Sequence, residues 1–232
     1  MFTGSRGSQA HEKGSTAMHH HDRLADGEAE NFWEKHYNSR EQLFSGDPNA
    51  LLVATAEAMP PGSALDLGCG EGGDAVWLAT RGWRVTAVDI SATAVRRTAA
   101  HAATAGVADL VTTRRHDLDG GLPTGTFDLV NAQYLHTPFS LSRTRLFQQA
   151  AHALTPGGLL LIVDHGSVSP WSWNPDPDAH FPAPEDIFGA LDLDPARWRP
   201  ERLDRPRRRA TGPDGQTAVI TDTVVTVRRL TD

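Results

Sequence analysis

The 232-residue sequence predicts an α/β fold in which a mostly parallel sheet carries helices on both faces. Between residues 64 and 166, short apolar runs alternate with segments of helical periodicity, the pattern of strands and crossover helices. The run LLLIVDHG at 159–166 begins with five apolar residues, which is typical of a strand buried on both faces. Near the C-terminus, TGPDG at 211–215 separates two strand-like runs, and its Pro-Asp-Gly turn predicts an antiparallel hairpin at the sheet edge.

Two helices are predicted before this alternation starts. Aromatic and imidazole side chains at helical spacing indicate the first helix: Phe32, Trp33, His36 and Tyr37. Asp47 followed by Pro48 predicts the N-cap and the first helical position of the second helix. That helix should end near Met59, because two prolines and a glycine follow.

The remaining elements are predicted from apolar runs and turn residues. Strands are expected at 64–68, 83–89, 110–117, 126–135 and 159–166, and helices at 73–82, 91–106, 140–158 and 184–191. Ser91 is the predicted N-cap of the helix at 91–106, and Gly106 is its predicted end. Pro156 and Gly157 are predicted to end the helix at 140–158. Residues 167–184 contain five prolines and are predicted to form an irregular lid.

The first 28 residues differ in composition from the rest of the chain. They are rich in Gly, Ser, His and charge, so they bury too little apolar surface to offset the entropy of ordering, and a flexible arm is predicted. The arm contains His19–His21, which fit a disordered tract better than a metal site, because consecutive histidines in a loose chain lack fixed geometry. No metal site is therefore predicted.

Composition narrows the class of protein. The formal net charge of −7 argues against a general nucleic-acid binder, which usually has a basic surface. Cys69 is the single cysteine, so an internal disulfide is excluded and a reducing compartment is favoured. No apolar run approaches the roughly 20 residues of a membrane span, and the polar start is unlike a secretory signal. We expect a cytoplasmic protein that does not contact membranes.

The segment LDLGCGEGGDAVW at 65–77 satisfies two glycine spacings. Gly68, Gly70 and Gly73 fit G-x-G-x-x-G, the dinucleotide pattern, whereas Asp66 with Gly68, Gly70 and Gly72 fits D-x-G-x-G-x-G, the pattern of a different cofactor. A tight turn without a ligand is the third interpretation. Spacing alone does not choose among them.

Carboxylates near the loop favour the second spacing. In an open α/β sheet a ligand binds outside the carboxyl ends of the strands, where this loop lies. Asp89 ends the second strand and can accept hydrogen bonds from the ribose of either cofactor. Asp66, immediately before the loop, suits a positive amino group better than a pyrophosphate, and Asp117, after the third strand, can accept from an adenine amine. Gly73 is then the start of a helix rather than part of a pyrophosphate site.

Five segments together carry a family resemblance: ALDLGCGEGGD at 64–74, VTAVDIS at 85–91, RHDL at 115–118, FDLVNAQYLH at 127–136 and LTPGGLLLIV at 154–163. In this order they resemble the class I S-adenosylmethionine (SAM)-dependent methyltransferases, over roughly residues 28–232. The resemblance is to small-molecule enzymes in the thiopurine and tellurite-resistance neighbourhood. It implies a Rossmann-like seven-stranded sheet of order 3-2-1-4-5-7-6 with strand 7 antiparallel.

The resemblance also implies a domain organisation. The methyltransferase domain would cover 29–232, with N-terminal cap helices at 29–59 and a lid-like insertion at 167–192. SAM would be the cofactor and S-adenosylhomocysteine the product. The expected partner is a small-molecule acceptor rather than nucleic acid, and the expected assembly is a monomer or homodimer. A SAM-binding sensor without methyl transfer, and a methyltransferase acting on a macromolecule, stay open as alternatives.

The resemblance assigns cofactor contacts by position. Asp66 and the backbone from Gly68 to Gly72, including Cys69 and Gly70, would hold the methionyl part of SAM. Asp89 would bind the ribose, Asp117 would bind the adenine amine, and Ile90 and the Leu118 backbone would face the adenine ring. Asn131 and Ala132 would face the methionyl amino group and the sulfonium. Trp33 and Tyr37, one helical turn apart, are candidates to contact SAM or the acceptor. A packing role for both is the open alternative.

Candidate acceptor-side residues follow the fourth and fifth strands. His136 is the candidate general base, for acceptors that must lose a proton. The candidate substrate-binding residues are Tyr134, His165, Trp171 and Trp173, with Tyr37 from the cap; His180 is a weaker candidate. A structural role for each histidine, and simple packing of the tryptophans, are the alternatives. The arginines between 197 and 209 are interpreted as solvated charges that protect a sheet edge.

Overall fold

The computed structural model describes residues 27–43, 45–172, 180–212 and 214–231. Within these ranges the helices are α1 Glu28–Asn38, α2 Ala50–Ala56, α3 Gly73–Thr80, α4 Ala92–Thr104, α5 Arg143–His152 and α6 Pro184–Ala190. The strands are β1 Ser63–Leu67, β2 Arg84–Asp89, β3 Val111–Arg115, β4 Phe127–Gln133, β5 Leu154–His165, β6 Trp198–Asp204, β7 Arg207–Thr211 and β8 Thr217–Arg229. Short 3₁₀ turns lie at Ala108–Leu110 and Leu118–Gly120. Among the described residues, none of the helices has the length and apolar character that crossing a membrane requires.

The sheet has the predicted Rossmann-like order. Its strands run β3-β2-β1-β4-β5-β8-β6, with β7 also paired to β8. The strands β1 to β5 pair in parallel, and β8 is antiparallel to its neighbours β5, β6 and β7. Because β8 occupies the place expected for strand 7, the order 3-2-1-4-5-7-6 with an antiparallel strand 7 is confirmed.

The edge strand differs from the prediction in being divided. The residues between β6 and β7 include Pro206, which has no N–H to donate to a ladder. The Pro206 carbonyl still accepts from the Asp222 N–H of β8 at 3.0 Å, so both pieces stay on the same side of β8. The sheet therefore has eight strands rather than seven. The expected hairpin is made by β8 and two strands paired with it, β6 and β7.

The helices pack on both faces of the sheet, as predicted. One face is covered by α2 and α3, whose Leu52 and Leu78 are fully buried with Leu129 and Leu161 of the sheet. The other face is covered by α5 and α6 over strand residues such as Leu160. Side chains alternate between the two faces along each strand, which decides which polar residues meet at the strand ends.

Two predicted helices have wrong boundaries. The helix α2 begins at Ala50 with Asn49 as N-cap, not at Pro48, because the Asn49 N–H donates to Asp74 Oδ1 at 2.6 Å and holds the preceding chain extended. Its last residue is Ala56, before the expected Met59.

The other error concerns α5, which ends at His152 instead of near Pro156. Leu154 is fully buried at the start of β5, and the Phe127 N–H of β4 donates to the Ala153 carbonyl. Pro156 and Gly157 thus lie inside β5, where the register between β4 and β5 shifts. In contrast, the Ser91 cap is confirmed, because Ser91 Oγ accepts from the Ala94 N–H at 3.2 Å.

Candidate cofactor and acceptor site

The glycine loop between β1 and α3 requires glycine at three positions. Gly68, Gly70 and Gly72 have φ values of 69°, 55° and 86°, in the left-handed region that favours glycine. A Cβ at Gly68 would lie 2.6 Å from Leu135 Cδ1, and one at Gly72 equally close to Thr98 Cγ2. The loop therefore passes closely between the chain after β4 and the helix α4. Gly73 is the first residue of α3, as the second spacing implied.

Asp89 closes one side of this loop from the end of β2. Its buried carboxylate accepts from the Gly70 N–H at 3.0 Å through Oδ2 and from the Ser91 N–H at 2.9 Å through Oδ1. Burial raises the pKa of Asp89 to about 6, against the lowering effect of these hydrogen bonds. Each oxygen keeps acceptor capacity for a further donor, so the group is suited to a pair of ligand hydroxyls.

Asp66 lies beneath the loop and is joined to Asp74 by an amide. The buried Asn131 is the register partner of Asp66 on β4, and its Nδ2 donates to Asp66 Oδ1 at 2.8 Å and to Asp74 Oδ2 at 3.1 Å. Asp66 Oδ2 is buried and has no hydrogen-bond partner among the described residues. Burial, and the neighbouring Asp74, raise the pKa of Asp66 well above its ordinary value. These paired acids are suited to a cationic ligand group.

The predicted adenine-side residues lie next to Asp89. The His116 N–H donates to the Asp89 carbonyl at 2.8 Å, which brings the chain after β3 alongside Ile90. Asp117 is exposed, and its Oδ1 accepts from the Asp119 N–H at 3.0 Å at the start of a 3₁₀ turn. Leu118 packs against the core. The His116 contact therefore places the start of this segment beside the end of β2.

The side chains of Cys69 and Ala132 turn away from solvent. Cys69 Sγ lies 3.7 Å from Thr98 Oγ1, and burial raises the pKa of its thiol. The Cys69 N–H donates to the Val88 carbonyl, so the backbone of this residue joins the loop to β2. Ala132 is buried in the core beneath α5. Both side chains fill space around the loop.

The helix α1 bridges the two sides of the crevice. On one side, Glu34 accepts from Ser91 Oγ at 2.6 Å and from the Thr93 N–H at 3.0 Å. On the other side, Trp33 Nε1 donates to Thr137 Oγ1 at 3.3 Å. Although burial opposes it, the hydrogen bonds from Ser91 and Thr93 lower the pKa of Glu34 to about 2. Two adjacent side chains in the middle of α1 therefore tie the helix to the start of α4 on one side and to the chain after β4 on the other.

Acids of the glycine loop hold the rest of the N-terminal segment. The buried Glu71 accepts from the Leu43 N–H at 3.1 Å and pairs with Arg97 at 2.6 Å. Asp74 accepts from the Asn49 N–H as described above. Tyr37 is buried at the end of α1, and burial raises its pKa. The cap and the loop are thus one connected structure.

The acceptor end of the crevice contains a histidine beside a buried acid. His136 Nε2 lies 3.3 Å from Asp164 Oδ1, and Arg143 of α5 binds Asp164 Oδ2. Burial opposes ionisation, but His136 and the Arg143 guanidinium hold the pKa of Asp164 below its ordinary value. An ionised Asp164 favours the tautomer with hydrogen on Nε2, which leaves the Nδ1 lone pair of His136 available.

Three rings stack in a row at this end. Tyr134 lies on His165 with centroids 4.6 Å apart, and His165 lies on His136 at 5.4 Å. Desolvation, together with the neighbouring His136, lowers the pKa of His165. The Tyr134 hydroxyl donates to the buried Asp222 at 3.0 Å and accepts from Arg208, which also pairs with Asp222 at 2.6 Å. The row is therefore fixed at both ends by carboxylate–guanidinium pairs.

The other predicted acceptor-side residues are less well placed. Trp171 is half-buried and packs on Gly212 near the β7–β8 turn, where a Cβ would lie 2.6 Å from its ring. Trp173 and His19–His21 lie outside the described residues. His180 is exposed. Within the described ranges, no group of three His, Cys, Asp or Glu side chains is arranged to hold a metal ion.

Several functional contacts were missed by sequence reasoning. Arg208 was interpreted as one of a run of solvated edge charges, but it turns inward to Asp222 while its neighbours Arg207 and Arg209 are exposed. A signal was present for Asp222, an acid inside the apolar run VITDTVV. Nothing in the local sequence distinguished Glu34 or Arg143 from surface charges.

The sheet order, the glycine loop and the strand-end carboxylates define an α/β domain of the class that binds a nucleoside cofactor. Residues 64–158 match a family model described as a methyltransferase domain. Together with the sheet order, this match supports a class I SAM-dependent methyltransferase domain with SAM as the cofactor, although the matched segment makes up less than half of the chain. The orphaned Asp66 oxygen and the partnered Asp89 carboxylate fit the cationic and ribose parts of that cofactor.

Similar proteins share this domain. The ribosomal RNA small subunit methyltransferase C of Alcanivorax borkumensis is 32% identical over 142 residues, 57% of this chain and 42% of the relative. The chain spans only 42% and 40% of the length of the two curated relatives it matches first. Two solved structures share the fold. TehB from Haemophilus influenzae has 17% sequence identity and a TM-score of 0.62, and the match covers 88% of this chain and 67% of that one. A protein described in "Conversion of a Disulfide Bond into a Thioacetal Group during Echinomycin Biosynthesis" has 24% identity and a TM-score of 0.67, and the match covers 86% of this chain and 92% of that one.

Proposed function

We propose that this protein is an enzyme that transfers the methyl group of SAM to an oxygen, nitrogen or sulfur atom of a small molecule. The observation that carries the proposal is the cap: α1 spans the crevice from Ser91 to Thr137 and is held there by Glu34 and Trp33. A covered crevice favours an acceptor small enough to enter beneath the cap.

SAM supplies an electrophilic methyl group on a sulfonium. In the proposed site, Asp89 binds the ribose hydroxyls and Asp66 the amino group of the cofactor, while the left-handed glycines of the loop allow close approach. Asp117 and Ile90 are the proposed adenine contacts. The chief work of the protein is positioning, since the acceptor atom must approach the methyl carbon in line with the sulfur.

His136 is the proposed general base. Its Nε2 faces the ionised Asp164, so Nδ1, which has no partner among the described residues, can accept the proton that the acceptor loses. An acceptor that is already ionised, such as a thiolate, needs no base. His165 and Tyr134 are the proposed walls of the acceptor pocket, with Trp171 farther out.

A ribosomal RNA acceptor is the second candidate, favoured by the names of the curated relatives. Two observations weigh against it. The arginines next to the crevice, Arg143 and Arg208, are engaged by carboxylates instead of being presented to phosphates. The net charge of −7 also opposes phosphate binding. A SAM-binding protein without methyl transfer is the third candidate function. The cytoplasmic location and the monomeric or dimeric state of the protein stay predictions.

The test is transfer of a radiolabelled methyl group from SAM. The protein is incubated separately with panels of phenols, amines and thiols, and with small subunit ribosomal RNA. We expect label in a small-molecule product, and loss of that label in Asp89→Ala. Label in RNA alone would overturn the small-molecule proposal. Unlabelled products throughout, with S-adenosylhomocysteine still bound in calorimetry, would instead indicate a binding protein.

A further inference from the structure

Gln133, the last residue of β4, is joined to the acid pair beneath the glycine loop. Its Nε2 donates to Asn131 Oδ1 at 2.7 Å. Its Oε1 is buried and has no hydrogen-bond partner among the described residues. Buried polar atoms in folded proteins are nearly always paired, so this orphaned acceptor requires an explanation.

The orientation of both amides follows from the acids. Asp66 and Asp74 present acceptor oxygens, so Asn131 must turn its Nδ2 toward them and its Oδ1 away. That Oδ1 in turn requires a donor, which is Gln133 Nε2. Gln133 Oε1 is thereby left as an acceptor at the carboxyl end of the sheet. The acids thus determine which way the Gln133 amide is turned, although the link between them runs through Asn131.

Two unpartnered acceptors therefore lie on the same face of neighbouring strands. Asp66 Oδ2 belongs to β1 and Gln133 Oε1 to β4, and both are buried. The hydrogen-bond donors that reach Asp66 and Asp74 are neutral, namely the Asn131 amide and the Asn49 N–H. A ligand group that satisfies this site carries a positive charge and at least two N–H bonds, which describes a primary ammonium.

We infer that the Gln133 side-chain carbonyl, together with Asp66, binds the ammonium of the amino-acid part of SAM. Gln133 is then a specificity-determining residue that distinguishes the cofactor from adenosine derivatives lacking an ammonium. The inference rests on SAM being the cofactor. It adds a residue of β4, two positions beyond Asn131, to the contacts expected from the family resemblance.

Calorimetry with two ligands tests the inference. S-adenosylhomocysteine has the ammonium, and 5′-methylthioadenosine has the same nucleoside and sulfur without the amino-acid part. In Gln133→Met we expect affinity for S-adenosylhomocysteine to fall about tenfold, as for loss of a hydrogen bond to a charged group. Affinity for 5′-methylthioadenosine should stay within about twofold of the original protein. Gln133→Ala should show the same pattern, and Gln148→Met on α5 should change neither affinity.

The outcomes distinguish failure of the Gln133 inference from failure of the assignment of SAM as cofactor. Equal losses for the two ligands, or an unchanged affinity for S-adenosylhomocysteine, overturn the role of Gln133. Failure of the unmodified protein to bind either ligand overturns the cofactor assignment itself, and the inference with it. Retained binding of 5′-methylthioadenosine by the variants also reports that their nucleoside site is folded.

Discussion

His136 Nε2 lies 3.3 Å from Asp164 Oδ1, so an imidazole with 43% of its side chain exposed lies beside a carboxylate that is only 7% exposed, in a contact that is close but not aligned as a hydrogen bond. Arg143 binds the other oxygen of Asp164 and helps to keep it ionised. The three residues come from the chain after β4, from β5 and from α5. An accessible nitrogen next to a cofactor crevice is the arrangement that a general base requires.

His136→Ala is expected to lower kcat for an acceptor that must lose a proton, by about 100-fold, because a positioned base commonly contributes that much. Affinity for S-adenosylhomocysteine should be unchanged, since His136 contacts none of the proposed cofactor residues. Steady-state kinetics and calorimetry measure the two quantities. His152→Ala, at the exposed end of α5 where the ring packs on Trp198, is the matched control. If kcat is the same in both variants, His136 is not the base.

Asp89 is expected to make cofactor binding dependent on pH. Its pKa of about 6 means that it ionises between pH 5 and 7, and a carboxylate accepts ribose hydrogen bonds more strongly than a carboxylic acid. Affinity for S-adenosylhomocysteine should therefore rise with pH across this interval, by up to about tenfold per pH unit below the pKa. In Asp89→Asn the rise should be absent and the affinity at pH 7 lower. An equal rise in the variant would assign the titration to another group.

Asp66→Asn is expected to stabilise the protein without ligand while weakening cofactor binding. Burial raises the folded-state pKa of Asp66 above the ordinary 3.8, so the folded protein resists its ionisation. The unfolded chain then holds fewer protons, and the free energy of unfolding decreases as pH rises above about 4. The variant does not lose this free energy of unfolding, so at pH 8 its melting temperature should be a few degrees higher than that of the original protein. For a chain of this size, about 1 kcal/mol of stability corresponds to about 2–4 °C in melting temperature.

The melting temperatures of Asp66→Asn and the original protein should converge below about pH 3, where the carboxyl is protonated in both the folded and the unfolded state. Asp119→Asn, an exposed position in the 3₁₀ turn, should follow the original protein at every pH. A lower melting temperature for Asp66→Asn at pH 8 would contradict the prediction, because it would mean that the ionised carboxylate stabilises the fold.

Glu34→Gln is expected to loosen the cap. The carboxylate makes charge-assisted hydrogen bonds at the start of α4, where the helix dipole also favours negative charge. Hydrogen exchange of the amides in α1 should become faster, by about fivefold or more, for a loss near 1 kcal/mol. Glu30→Gln is the control, since the partner of Glu30 within the described part of the chain is the exposed Arg115, and such pairs contribute little. Equal exchange in the two variants would show that Glu34 does not hold the cap.

The sequence was sufficient for the parallel half of the fold. Apolar runs such as LLLIVDHG are long enough, and bounded clearly enough, to place β1 to β5 and the glycine loop. The α5–β5 boundary was misplaced because Pro156 and Gly157 are helix-ending residues in most settings. Here the burial of Leu154 draws the chain into the sheet before they are reached. Tertiary packing thus overrode a local signal.

The site was predictable only where a motif fixes it locally. Asp66 and Asp89 adjoin strands and glycines that mark them, so both could be proposed from the sequence alone. The partners of Asp164 and Asp222 come from other elements: Arg143 lies 21 positions from Asp164, and Tyr134 lies 88 positions from Asp222. Such pairs depend on strand order and register, which no local pattern contains.

The segment between α1 and α2 is attached to the glycine loop through its backbone. Glu71 and Asp74 accept from the main-chain N–H groups of Leu43 and Asn49, whose side chains take no part in these two contacts. Any residue other than proline provides the same N–H. The side chains of this segment can therefore vary during evolution, or in a designed library, while its attachment to the loop persists. A protein built in this way can acquire new acceptors without rebuilding its cofactor site.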